Sequence, residues 1–232
     1  MKALIRHIKF ALSFDVNLLQ KDLQDILDTT WINHYNKNDY TGMWTSIALM
    51  SVDGKSNSIF AFSQSANELI NTEIVEQCPY FNQVLDSFLF QKTAVRLLKL
   101  NAGAEIKPHS DHCLGYEDGC FRLHIPIITN SLVEFILDNE RLNMNEGECW
   151  YINANFTHSV ANKGTIDRIH LVIDGIRNDW TDALFFDYAT ADAFVKPEPS
   201  MDKTQKLQVI EELKKINSPA AAELILKLQR EL

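Results

Sequence analysis

Long apolar runs are missing from this 232-residue chain. No stretch approaches the roughly 20 apolar residues that a membrane-spanning helix needs, so no membrane insertion is expected. Positive charge is scarce: 22 Lys and Arg stand against 31 Asp and Glu, a formal charge of -9. That balance repels phosphate backbones and anionic lipid surfaces, and nucleic acid is not an expected partner. Cysteine is sparse as well. Cys78, Cys113, Cys120 and Cys149 are too few for a disulfide scaffold in a chain of this length. Arg6, His7 and Lys9 interrupt the apolar opening segment before a signal-peptide core can form. The expectation is a cytoplasmic protein with reduced thiols. Cys113 and Cys120 lie near His109 and His112, but their spacing matches no common zinc pattern.

What is present is enough apolar material, 46% of residues, to fill a substantial core. The organisation expected is one main domain over residues 1–192, a linker over 193–203 containing Pro197 and Pro199, and a helical pair over 204–232. The pair would pack on the main domain or on another subunit, which makes a homodimer one expectation. In the front third, residues 4–14 read as a strand, and Asp15 as the N-cap of a helix carrying Leu18, Leu19, Leu23, Ile26 and Leu27. MWTSIALMSV reads as a strand, and residues 80–88 as a helix.

From Thr93 the pattern changes to short apolar runs separated by turn signals: TAVRLLKL, EIKPHSD, FRLHIPII, VEFILD, ECWYIN, HSVAN and DRIHLVID. Regular short strands of this kind predict a mainly β domain with flanking helices, either a sandwich or a barrel-like jelly roll. Residues 138–140 and 162–165 read as hairpin connections.

His109 and Asp111 are two residues apart, so on extended backbone both side chains point to one side. His158 opens another predicted strand 49 positions later, enough chain for intervening strands to return it beside the first pair. Two histidines and one carboxylate suit iron(II), because three of six octahedral positions stay open for a chelating cosubstrate and O2. Arg168, ten residues after His158, lies in an apolar strand that the 162–165 turn is expected to fold back on the His158 strand. Its planar guanidinium could grip a carboxylate at the remote end of a dicarboxylic cosubstrate. The plainer reading pairs it with Asp167 or Glu148. Arg122 and His124 share one face of FRLHIPI among large apolar residues. A buried arginine needs an anion, which is either a ligand carboxylate or an internal partner such as Glu134 or Asp138. His170 shares a face with Arg168, and His112 could point outward or toward a substrate.

The run RLLKLNAGAEIKPHSD, RLHIPI, GECWYIN, the ten-residue His to Arg spacing and HLVIDGIRNDW resemble the aspartyl/asparaginyl β-hydroxylase family of 2-oxoglutarate oxygenases, which includes bacterial proline hydroxylases. The resemblance covers residues 40–180. It implies a cupin-like double-stranded β-helix with His109, Asp111 and His158 on Fe(II) and Arg168 on the 2-oxoglutarate C5 carboxylate. Arg122 and His124 then match the family's R-x-H strand in the cosubstrate and substrate pocket. The implied chemistry is oxidative decarboxylation of 2-oxoglutarate with O2, coupled to hydroxylation of an amino acid. A small free amino acid such as proline is the expected substrate, with a peptide-borne aspartyl or asparaginyl residue as the other option. The competing class is a cupin-like metal-binding isomerase or small-molecule sensor, which would have no use for Arg168 at its spacing.

Overall fold

The structure is a computed structural model that describes residues 4–58, 69–196, 203–216 and 218–230. It divides into two compact units, one of residues 3–195 and one containing residues 196–232. Most of the expected linker, residues 197–202, lies outside the described residues, as do Asn217 and Leu232. Phe194 is buried against Phe185 and Tyr116, so the chain belongs to the large unit up to residue 195.

Thirteen strands and four longer helices build the large unit among its described residues. The strands are β1 (His7–Ser13), β2 (Ile32–Asn33), β3 (Tyr40–Thr41), β4 (Trp44–Ser51), β5 (Ile70–Asn71), β6 (Lys92–Leu100), β7 (Glu105–His109), β8 (Cys120–Ile128), β9 (Val133–Leu137), β10 (Glu140–Leu142), β11 (Glu148–Ile152), β12 (His158–Asn162) and β13 (Arg168–Ile176). The helices are α1 (Val16–Asp25), α2 (Glu73–Gln77), α3 (Pro79–Asp86) and α4 (Asp179–Phe186). One antiparallel sheet runs β1-β11-β8-β13-β6-β4-β2, with β5 on β4, and the other runs β10-β9-β12-β7-β3. From β6 to β9, and again from β11 to β13, successive strands alternate between the sheets. This winding is the double-stranded β-helix, or jelly roll.

Period-two patterning explains how the layers separate. On β13 Ile169, Leu171 and Ile173 pack in one core, with Leu19, Leu23 and Phe81 of α1 and α3. Val172 faces the opposite way into a second core between the sheets, with Leu98, Ile106, Phe135 and Trp150. The intervening Arg168, His170 and Asp174 share the Val172 face and are buried with it. A polar stripe is therefore threaded into the inter-sheet space, and this stripe is where chemistry can be built.

Local signals account for the boundaries. Asp15 caps α1, its carboxylate accepting from the Asn17 and Leu18 N–H groups at 2.9 and 3.2 Å. Asp138 and Asn139, with φ of 46° and 67°, form the two-residue turn between β9 and β10, and these residue types tolerate that left-handed backbone. The second expected hairpin is not formed. β12 pairs with β7 and β9, while β13 pairs with β6 and β8, so both edges of each strand are already taken. Residues 163–167 instead cross from one sheet to the other, and Arg168 faces the His158 strand across the barrel rather than beside it.

In the C-terminal unit, α5 (Lys203–Lys214) and α6 (Pro219–Arg230) pack on each other and bury Ile210, Ala221 and Leu228. No helix among the described residues is long and apolar enough to cross a membrane.

α3 has no side-chain cap of its own, and a carboxylate from α1 supplies one. Asp22, 3% exposed, accepts from the Tyr80 and Phe81 N–H groups at 2.7 and 2.8 Å. Asp22→Ala should lower unfolding free energy by about 1–3 kcal/mol in urea denaturation, and Asp22→Asn, which keeps an acceptor, by less.

Candidate active site

Backbone pairing brings the first histidine to the second. β7 and β12 are antiparallel neighbours with His109 directly opposite His158, and the two rings lie 4.3 Å apart at their centroids. Asp111, two residues beyond His109, is held by a backbone hydrogen bond from its N–H to the Ala154 carbonyl. One donor atom from each of His109, Asp111 and His158 lies within 4.8 Å of the others, the single such cluster of three among the described residues. Nearby Cys113 and Cys120 are not part of it.

The tautomers follow from hydrogen bonding. Nδ1 of His109 lies 2.8 Å from the Lys107 carbonyl, and Nδ1 of His158 lies 3.0 Å from the Phe156 carbonyl. A carbonyl only accepts, so each Nδ1 carries the proton and each Nε2 lone pair is left for a metal. Burial, with the neighbouring His109 adding to it, pushes His158 down to about 4, so its ring is neutral at physiological pH. Burial opposes ionisation of Asp111, but the Arg122 guanidinium outweighs it by its charge and its hydrogen bond and holds the carboxyl below the ordinary range. Two imidazoles and one carboxylate fit a divalent metal, and with only three protein ligands they leave positions for exchangeable ones.

This cluster opens into a cavity of about 470 Å³, lined also by Arg96, Arg122, His124, Arg168 and Asp174. Of the two anions expected for Arg122, a ligand carboxylate or an internal one, the structure supplies an internal one. Arg122 stands opposite Asp174 in the β8–β13 pairing and grips that carboxylate with two hydrogen bonds of 2.7 and 2.9 Å. Its third donor reaches Asp111 Oδ2 at 2.6 Å, leaving the other Asp111 oxygen for a metal. Neither internal partner anticipated for it serves: Glu134 pairs with Lys163, and Asp138 with Arg6. His124 is buried on the same strand, kept neutral by burial and then by Arg168 and Arg122.

Arg168 is the opposite case. It is 2% exposed, yet no carboxylate among the described residues offsets it, and burial alone lowers its pKa to about 9. The two plainer partners are engaged elsewhere, Asp167 by the Ala102 N–H and Glu148 by Lys9. An isolated buried cation costs several kcal/mol, so the site is built to receive an anion.

Three lining residues were not singled out from the sequence. Asp174 is the one acidic residue in the apolar strand HLVID, and Arg96 shares the strand TAVRLLKL with Lys99, which falls on the opposite face. His34 stacks on Trp44 with centroids 3.6 Å apart at the cavity wall, a pairing of distant loop and strand residues that leaves no local pattern.

Several neutral histidines are buried at once, which gives a pH dependence. His158 is depressed to about 4, and His124 and His170 lie well below their usual value, burial being the main cause for all three. The unfolded chain binds protons near pH 6.5 while the folded chain does not, so stability falls as pH drops from about 6.5 toward 4. In urea titrations of the metal-free protein, His158 alone should remove about 2 kcal/mol between pH 7 and pH 5. A flat profile over that range would contradict this.

Comparison with known proteins identifies the family. The aspartyl/asparaginyl β-hydroxylase family model matches residues 13–178. An L-proline cis-4-hydroxylase of Rhizobium meliloti (strain 1021) is 28% identical over 172 residues, covering 72% of this chain and 60% of the relative. An L-proline cis-3-hydroxylase of a Streptomyces species is 26% identical over 174 residues, covering 72% and 59%. The chain thus spans about three fifths of the curated relatives it matches. A solved oxidoreductase of the 2OG-Fe(II) oxygenase family from Burkholderia pseudomallei is 14% identical, aligned over 71% of this chain and 82% of that one with a TM-score of 0.46. With the family model matching well over half of its length, the chain belongs to the aspartyl/asparaginyl β-hydroxylase family.

Proposed function

We propose that this chain is an Fe(II)- and 2-oxoglutarate-dependent dioxygenase that hydroxylates a small free amino acid, with proline the first candidate. The observation that carries the reading is Arg168, a buried cation without an internal counter-ion in the same cavity as an open three-ligand metal cluster. A cupin-like isomerase or sensor would need the metal cluster but not a second anion site beside it. Iron(II) so held supplies the O2 chemistry, in which 2-oxoglutarate and O2 become succinate, CO2 and one oxygen atom inserted into a substrate C–H bond.

The protein's own residues supply position and charge. His109, Asp111 and His158 hold the metal on one side of the cavity. Arg122 takes one oxygen of Asp111 and keeps that ligand ionised. Arg168 anchors the remote carboxylate of 2-oxoglutarate.

For a substrate carboxylate Arg96 is better suited than Arg122. Arg122 is saturated by Asp174 and Asp111, whereas Arg96 reaches Asp174 only at 3.5 Å and its buried Nε has no hydrogen-bond partner. The stacked His34 and Trp44 rings offer a flat wall for a small apolar body such as a five-membered ring. Four free cysteines support a reducing compartment such as the cytoplasm.

Two measurements test this. Succinate release from 2-oxoglutarate should depend on iron(II) and rise with L-proline or another free amino acid, whose mass should increase by one oxygen atom. His109→Ala, Asp111→Ala and His158→Ala should each abolish it, and Arg168→Lys should raise the 2-oxoglutarate constant on the order of tenfold or more, because an ammonium lacks the two-pronged grip. Absence of iron- and 2-oxoglutarate-dependent turnover with every free amino acid and peptide tried would overturn the reading.

The second concerns the substrate carboxylate. Arg96→Gln should raise the amino-acid KM on the order of tenfold or more while leaving 2-oxoglutarate binding within a few fold. If peptides or the amidated analogue react as well as the free acid, the substrate is peptide-borne and Arg96 serves another end.

A further inference from the structure

β13 carries a second polar group next to Arg168 that neither the metal cluster nor the substrate pocket has absorbed. Arg168 and His170 are two residues apart on one face of the strand, and each is 2% exposed. Arg168 Nη2 lies 2.9 Å from His170 Nδ1. A guanidinium has donors and no acceptor, so His170 Nδ1 must accept. The imidazole is held neutral by burial and then by Arg168 and His124, so its single N–H proton is on Nε2.

That Nε2–H has no partner although it is buried, and neither has Arg168 Nε. Buried donors left unmade are rare, and these two lie on contacting side chains that both line a cavity of about 680 Å³. Of that lining, Arg168 and Phe135 also line the metal cavity. The surroundings narrow the chemistry of an acceptor for them. Arg168 sits over the Phe135 ring with Cζ 5.9 Å from the centroid, and the His124 ring lies 5.7 Å from that of His170. Among aromatic walls and neutral imidazoles, a lone cation beside a neutral donor suits an acceptor that brings one negative charge and several lone pairs. A carboxylate meets that description.

We propose that His170 binds the remote carboxylate of 2-oxoglutarate directly, its Nε2–H donating alongside the Arg168 guanidinium, and that Arg168 fixes the His170 tautomer that makes this possible. The inference rests on the reading of Arg168 as the anchor for that cosubstrate. Arg168 has two tasks here: one arm meets the ligand, and the other, by occupying Nδ1, turns the far side of the imidazole into a donor. The competing role for His170 is that of a prop, which accepts from Arg168 and touches nothing else.

The two roles separate by experiment. In zinc-substituted protein at neutral pH, long-range 1H–15N spectra should show one ring with unprotonated Nδ1 and protonated Nε2 that is lost in His170→Asn. Adding 2-oxoglutarate should move its Nε2–H proton downfield. Calorimetric binding of 2-oxoglutarate should weaken on the order of tenfold in His170→Asn, which keeps an acceptor near Nδ1 but loses the outer donor. His170→Gln, whose amide reaches the Nε2 position, should stay within a few fold of the unaltered protein. An unmoved Nε2–H proton, or a loss in His170→Gln as large as that in His170→Asn, overturns the proposal. The spectrum of the unaltered protein decides the matter even if a variant does not fold. Failure of the unaltered protein to bind 2-oxoglutarate at all would overturn the oxygenase reading, and this inference with it.

Discussion

The antiparallel pairing of β7 with β12 is the constraint on which the site depends. It sets His109 opposite His158 by backbone hydrogen bonding rather than by side-chain contact. A one-residue slip would turn His158 to the other face of its sheet and dismantle the cluster. That register is defended from both sides, since β12 is also paired along its length with β9. Each histidine is then aimed by a carbonyl two residues before it in its own chain, at Lys107 and Phe156. The two histidines are thus set by strand register, and Asp111, just past the end of β7, is set by its backbone hydrogen bond to Ala154.

Charge is distributed unevenly around this frame, and the unevenness separates structural from receptive groups. Arg122 is the best-satisfied cation in the cavity, with Nε and Nη2 on Asp174 and Nη1 on Asp111. It acts as a strut that joins the metal cluster to the β13 wall. Arg96 shares Asp174 at longer range, and Arg168 has no carboxylate partner among the described residues. Along one cavity the guanidiniums pass from fully paired to unpaired. Unpaired buried charge destabilises a fold, and it persists where a bound anion compensates for it.

The packing around the cavity explains why such a stripe can be tolerated. β13 is covered on one face by the helix-side core and on the other by the second sheet, so Ile169, Leu171 and Ile173 bury enough apolar surface to offset the polar residues between them. The same alternation places Arg168 and Asp174 on the wall of the metal cavity and buries His170 on the same face of the strand. One strand therefore serves as both the spine of the core and a wall of the site.

Much of this was legible in the chain itself. The two-residue spacing of His109 and Asp111, the apolar flanks of Arg168 and the short strands after Thr93 depend on local geometry, which sequence reports directly. Family membership and the jelly roll follow from the same motifs. Partnerships across the sheets were not legible. The Asn162–Thr165 segment has the composition of a hairpin turn, yet its flanking strands lie in different sheets because each is already paired on both edges. Arg122 was expected to meet a ligand carboxylate, Glu134 or Asp138, and Asp174, 52 positions away, reached it through strand register alone. Sequence by itself determined which residues are chemically able to hold a metal and an anion, since side-chain identity and period-two alternation are local properties. Only the tertiary structure decided which charges cancel and which stay open, because that depends on distances between strands far apart in the chain.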